Sequence, residues 1–109
     1  MEYNVLLTEH ARDDLKSIYE YIAFELLSPD NAAGIIQGIL AASKGLNAFP
    51  NRNPLYHEEP WKSLEVRFIP YKNYIIFYKV NDENMTVTVT RIMYGGRDIS
   101  KQLDPSDFS

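Results

Sequence analysis

Residues Tyr74-Ile75-Ile76-Phe77-Tyr78-Lys79-Val80 form an almost unbroken apolar run of β-branched and aromatic side chains. A chain carrying such a run has to build a sheet, with this strand at its centre. The neighbouring strands are legible on either side. Leu64, Val66 and Phe68 alternate with Glu65, Arg67 and Ile69, which predicts a strand before it. Asn81-Asp82-Glu83-Asn84 is turn chemistry, and Thr86, Thr88 and Thr90 then alternate with Val87, Val89 and Arg91. A further strand from Met85 to Tyr94 therefore folds back as a hairpin, and Gly95-Gly96 breaks it. At the other end of the chain, Tyr3, Val5 and Leu7 mark a short opening strand.

Between the opening strand and the rest, the period changes from two to about 3.6. Thr8 is placed to cap a helix from Glu9 to about Leu27, whose apolar stripe is Ala11, Leu15, Ile18, Tyr19, Ile22 and Leu26. Ser28-Pro29-Asp30 restarts the helix, with a hydroxyl to cap, proline at the first position and a carboxylate at the positive end of the dipole. The second helix is expected from Pro29 to about Ala48, on a broad stripe of Ala32, Ile35, Ile36, Ile39, Leu40, Ala42 and Leu46, with Phe49-Pro50 ending it. Gly34 and Gly38 interrupt it, which fits either close approach of another element or a merely weak helix. Pro50 to Ser63 shows neither period and reads as a loop, in which Trp61 is expected to cover the edge of the core. The predicted class is α+β, in the order β-α-α-β-β-β: an antiparallel-dominated twisted sheet with an N-terminal helical hairpin on one face. Residues 1–103 are expected to form one domain, with a short turn at Ile99 and Leu103, and residues 104–109 a flexible tail.

At 109 residues there is room for one core and hence one site. Cysteine is absent, which excludes a disulfide framework and a thiolate metal site. His10 and His57 are too unrelated in sequence to suggest a metal pair, so neither a cofactor, a metal nor a small-molecule ligand is expected. With no basic leader and no long apolar run, the expected address is cytoplasmic and no membrane partner is foreseen. The net charge of −4 and a pI near 5.1 argue against broad attraction to nucleic acid. The charge is uneven: residues 1–61 carry four basic and nine acidic side chains, residues 62–101 seven and four. A surface for nucleic acid or an acidic partner would lie in the second half.

Ala48-Phe49-Pro50, Ser63-Leu64-Glu65-Val66-Arg67, Tyr74 to Val80, and Arg91-Ile92-Met93-Tyr94-Gly95-Gly96-Arg97-Asp98 together resemble the RelE/ParE toxin superfamily. These toxins and plasmid stabilisation proteins belong to bacterial type II toxin-antitoxin systems, and the likeness runs from about residue 3 to 103. It implies a toxin that either cleaves mRNA in the ribosome, as RelE-like interferases do, or poisons DNA gyrase, as ParE-like members do. It also implies a cognate antitoxin, expected to lay an amphipathic helix or extended segment across the sheet and helical hairpin.

Metal-independent mRNA cleavage would need a base, an acid and cations around the phosphate. Arg67 and Arg97 match the positions of catalytic arginines in RelE-like members, and Tyr94 is near enough in sequence to Arg97 to be considered for proton transfer. Lys62 and Lys72 are poorly placed stand-ins for catalytic lysines, and residues 98–109 contain neither the tyrosine nor the histidine such members use. The structural alternative for Arg67 and Arg97 is pairing with a carboxylate such as Glu65 or Asp98. Arg91, in phase with Val87 and Val89, is expected on the inner face as half of an ion pair. The acidic balance and incomplete site favour the ParE-like reading, a gyrase inhibitor without chemistry of its own. A RelE-like endoribonuclease and an inactive antitoxin-binding domain remain as alternatives.

Overall fold

Four strands form one sheet in the order β1-β4-β3-β2. They are β1 (Asn4–Leu7), β2 (Arg67–Tyr71), β3 (Tyr74–Asn81) and β4 (Thr86–Tyr94). The structure is a computed structural model that describes residues 2–96 and 99–108. The neighbouring pairs β2–β3 and β3–β4 are antiparallel, whereas β1 runs parallel to β4. Helices α1 (Glu9–Glu20) and α2 (Pro29–Lys44) intervene between β1 and β2, and the short α3 (Ile99–Gln102) follows β4. This is the α+β arrangement expected, with the apolar run of β3 interior to the sheet.

The helical hairpin covers one face. Ala11, Leu15, Ile22, Ala32, Ile35 and Ile39 meet Ile76, Tyr78, Val87, Val89 and Ile92 in a continuous buried cluster. Thr8 caps α1 as its sequence predicts, its hydroxyl oxygen accepting from the Ala11 N–H at 3.0 Å. Ser28 makes no side-chain cap for α2, where Pro29 stands at the start. Instead α1 opens into a π-helical turn over Tyr21–Glu25, and Leu27, in the left-handed region at φ 53°, reverses the chain. The Ser28 N–H donates back to the Ile22 carbonyl at 3.1 Å to close that reversal. The wider turn shifts the helical phase. Ile22 stays buried as expected and Ala23 joins it, whereas Leu26, expected in the buried stripe, turns out to solvent.

The second face carries its own cluster, in which Val66, Phe77 and Met93 lie under Tyr56 and Trp61 from the loop and under Ile99, Leu103 and Phe108. The stretch expected to fray thus packs as far as Phe108, with Pro105–Phe108 forming a 3-10 turn. A β-bulge accounts for another departure. Phe77 faces Arg91 while Tyr78 faces Val89, so Thr90 is the extra residue, and its hydroxyl donates to the Phe77 carbonyl at 3.2 Å. Past the bulge the alternation flips, and Arg91 leaves the face of Val87 and Val89 for that of Phe77 and Met93.

The two helical glycines differ in their surroundings. A Cβ at Gly38 would lie 1.8 Å from the Tyr71 hydroxyl, whereas one at Gly34 would meet nothing within 4 Å. Gly38 is therefore the close approach, between α2 and β2. Gly38→Ala is expected to lower stability by about 1–3 kcal/mol through the displaced Tyr71 ring. Gly34→Ala should raise stability by up to about 1 kcal/mol through helix propensity. Urea unfolding of the two variants beside the native chain measures both.

Candidate functional site

Where the helical hairpin overhangs the end of the sheet, a groove of about 630 Å³ opens between Ile18, Tyr21, Ile22 and Leu26 on one side and Tyr74, Ile92 and Tyr94 on the other. Its outer lip is the π-helical turn, which leaves Tyr21, Phe24, Leu26 and Leu27 exposed in succession. Large apolar side chains exposed this close together in the chain, two of them lining a concavity, mark an interaction site. Sequence carried a signal for it. Phe24, Leu26 and Leu27 crowd more apolar side chains into one turn than a single buried stripe can use.

The tyrosines at the sheet end are close enough to sense one another. Burial pushes the Tyr74 hydroxyl above its ordinary pKa, and the phenols of Tyr94 and Tyr21 add to the shift. The Tyr74 and Tyr94 rings meet edge to face, their centroids 5.8 Å apart. Tyr94 itself is exposed at the end of β4. Carboxylates flank the lip: Glu20, Glu25 and Asp30 are exposed and form no ion pair among the described residues.

At the back of the groove Asp14 and Arg91 hold the architecture. The Arg91 guanidinium donates Nε to Asp14 Oδ2 at 2.8 Å and Nη2 to Asp14 Oδ1 at 3.1 Å, a bidentate fork. Its Nη1 donates to Asp107 Oδ2 at 3.0 Å, and Asp107 also bonds His10 Nδ1 at 3.0 Å. Burial works against the Arg91 charge, but Asp14 and then Asp107 outweigh it and hold the pKa above its ordinary value. Asp14 has a second task. β1 stops pairing at Val89, and beyond it the Ile92 N–H donates to Asp14 Oδ2 at 2.9 Å, so a carboxylate replaces the missing strand. The expected ion-pair role for Arg91 is what the geometry shows, although on the other face from that expected.

Of the candidate chemical residues, Arg67 and Tyr94 stand apart. Arg67 opens β2 opposite Tyr78, and its Nη1 donates to the Asn53 carbonyl at 2.5 Å. Tyr94 pairs across with Tyr74, four residues along β3 from Tyr78. At about 3.3 Å per residue, the two rows stand roughly 13 Å apart along the sheet. Arg97 lies outside the described residues. Lys62 is exposed in the loop, and Lys72 is exposed in the β2–β3 turn with its ammonium 5.8 Å from the Tyr71 ring centroid. His57 is exposed, its ring against that of Tyr56. No group of three or more histidine, aspartate or glutamate side chains among the described residues is placed to hold a metal ion. No helix among them is long and apolar enough to cross a membrane.

Comparison with solved structures finds the same architecture. A chain of the chromosomal ParDE TA system from P. aeruginosa superposes with a TM-score of 0.70 at 22% identity, covering 85% of this chain and 96% of that one. A chain of the toxin-antitoxin complex RelBE2 from Mycobacterium tuberculosis gives 0.61 at 23% identity, covering 86% and 92%. A mutant E. coli toxin RelE in its free state gives 0.60 at 14% identity, covering 94% and 100%. At such identities the likeness establishes the fold. No curated protein matches significantly in sequence. The profile of the ParE toxin of type II toxin-antitoxin systems, however, matches residues 5–99, from β1 through β4 to the start of α3. With that match over most of the chain, and this sheet and helical hairpin beneath it, the protein belongs to the ParE toxin family of type II toxin-antitoxin systems.

Proposed function

We propose that this ParE-family chain acts by binding DNA gyrase and inhibiting it, without covalent chemistry of its own, and that a cognate antitoxin neutralises it. The observation that carries the reading is the separation of Arg67 from Tyr94. The first is engaged in holding the loop at Asn53, and the second stands at the opposite end of the sheet. An in-line phosphoryl transfer needs its base, acid and cations within hydrogen-bond reach of one phosphate. A net charge of −4 supports the same reading, because an enzyme acting within ribosomal RNA benefits from an attractive field.

The antitoxin's covering segment belongs in the groove. Apolar side chains of an amphipathic segment would meet Ile18, Tyr21, Leu26 and Leu27, and basic ones would meet Glu20, Glu25 and Asp30. Added to gyrase supercoiling assays, the purified chain is expected to inhibit at near-stoichiometric concentration. Primer extension on ribosome-bound message should show no new cuts. A-site cleavage with untouched gyrase would replace this function with the interferase. Leu27→Asn suits the left-handed backbone better than leucine does and removes the apolar contact. It is expected to weaken the antitoxin complex about tenfold, near the value of one buried leucine side chain.

A further inference from the structure

The most exposed large apolar side chains among the described residues are Leu27 at 82% and Phe49 at 77%. Both stand at left-handed backbone, φ 53° and 49°, which a residue bearing a Cβ avoids. Leu27 belongs to the lip of the groove; Phe49 does not. Phe49 also precedes Pro50, and a residue before proline is pushed away from helical conformations toward extended ones, yet here ψ is 51°. Strain of this kind persists only where the surroundings impose it.

The surroundings do impose it. The Arg52 N–H donates to the Phe49 carbonyl at 3.1 Å, and Arg52 Nη1 donates to the Ala48 carbonyl at 3.2 Å. Pro50 is buried, and its carbonyl accepts from the Tyr78 hydroxyl at 2.6 Å. Asn51 Nδ2 donates to Asp82 Oδ1 at 3.0 Å, and the Tyr3 hydroxyl donates to the same oxygen at 2.6 Å. The turn is thus fixed on each side of Phe49, while the phenyl ring joins neither apolar cluster. A rigid, strained turn that holds an aromatic ring in water adds nothing to the stability of the free chain. A large aromatic held in one conformation is, however, a strong contact for another protein, because little entropy remains to be lost on binding.

Its position separates it from the groove. The Phe49 turn is tied to Tyr78 and Asp82 at one end of β3, whereas the groove lies at Tyr74 and Tyr94 at the other. Tyr78 and Asp82 lie four and eight residues along the chain from Tyr74, roughly 13 and 26 Å at the rise of a strand. A segment lying in the groove would leave Phe49 uncovered.

We propose that Phe49 is the aromatic anchor by which this chain grips its protein target, entering an apolar pocket with a carboxylate at its mouth to receive Arg52. Arg52 supplies the charge: it is exposed three residues further along the same turn, forms no ion pair among the described residues, and gives one of its five side-chain donors to Ala48. This deepens the gyrase reading and rests on it for the identity of the target. The antitoxin in the groove and the target on Phe49 then occupy different ends of the molecule.

Phe49→Gly tests the anchor, since glycine accepts this backbone without strain. The variant is expected to melt at the native temperature or above it and to form the antitoxin complex with native affinity. Its half-inhibitory concentration against gyrase supercoiling should rise about tenfold or more. Inhibition within twofold of the native chain overturns the anchor while leaving the gyrase reading intact. A lowered melting temperature also overturns it, by showing that the ring stabilises the fold. A weakened antitoxin complex overturns it in favour of antitoxin contact at Phe49. If the native chain fails to inhibit gyrase at all, the target reading is wrong and the assigned partner of Phe49 falls with it.

Discussion

Arg91→Ala is expected to lower the unfolding free energy by about 3–5 kcal/mol, among the largest effects of any single substitution in this chain. The side chains of Arg91, Asp14 and Asp107 are only 11%, 14% and 12% exposed, so removing the guanidinium strands two carboxylates away from water. The loss reaches further than one pair. Asp14 holds the unpaired edge of β4 through the Ile92 N–H, and Asp107 fixes the C-terminal turn that His10 also touches. A charge left alone at this depth costs more than the pair contributed, which is why truncating one partner exceeds the worth of the interaction. Guanidinium-chloride unfolding of native and variant chains reads the difference. A change below about 1 kcal/mol would mean that water reaches the network freely, as at exposed pairs.

Phe108→Ala should cost about 3–5 kcal/mol, the usual toll of deleting a buried ring and leaving a cavity. The side chain is 3% exposed and sits with Ile99 and Leu103 over Phe77 and Met93, while its carbonyl accepts from Lys79 Nζ at 3.0 Å. For a chain of this size that corresponds to a melting temperature lower by roughly 10 °C or more. The comparison is with Ser106→Ala, two residues away and exposed, which loses a surface hydrogen bond to Asp104 and should shift it by far less. Equal melting of Phe108→Ala and the native chain would show that the last turn is dispensable to the core.

The effects differ in where they act. Arg91 and Phe108 secure the second face and the strand edge, so their loss is expected to appear as instability before any change in recognition. Leu27 and Phe49 are exposed and lie outside both core clusters, so their loss is expected to appear as weaker binding at normal stability. Measuring stability beside binding in each variant keeps the two kinds of failure apart.

Much of this architecture was legible in the residues. The apolar run from Tyr74 predicted an interior strand, the three-four spacing of Ala11, Leu15, Ile18 and Ile22 predicted α1, and Thr8 announced its cap. Family membership was legible too, because the Arg67, Tyr74–Val80 and Arg91–Asp98 stretches hold their order and spacing within one profile. Such features depend on local propensity and on the period with which side chains meet a buried face, and both are written along the chain.

What the chain did not disclose are the places where one residue more or less changes the phase. The extra Thr90 in β4 moves Arg91 to the other face, and the widened turn at Tyr21–Glu25 turns Leu26 outward to make the lip of the groove. No local propensity foretold either, because a bulge or a π turn forms only where packing elsewhere compensates its lost regularity. The same holds for Asp14, an ordinary helical carboxylate until β1 stops pairing at Val89 and leaves the Ile92 N–H, three residues on, to be met. Which segments are helix or strand, and which family they compose, follows from short-range sterics and hydrophobic period and could be read along the chain. Which side chains share a surface came with the folded arrangement, which sets Arg67 apart from Tyr94 and Phe49 outside the lining of the groove, because that depends on register and on contacts between residues distant along the chain.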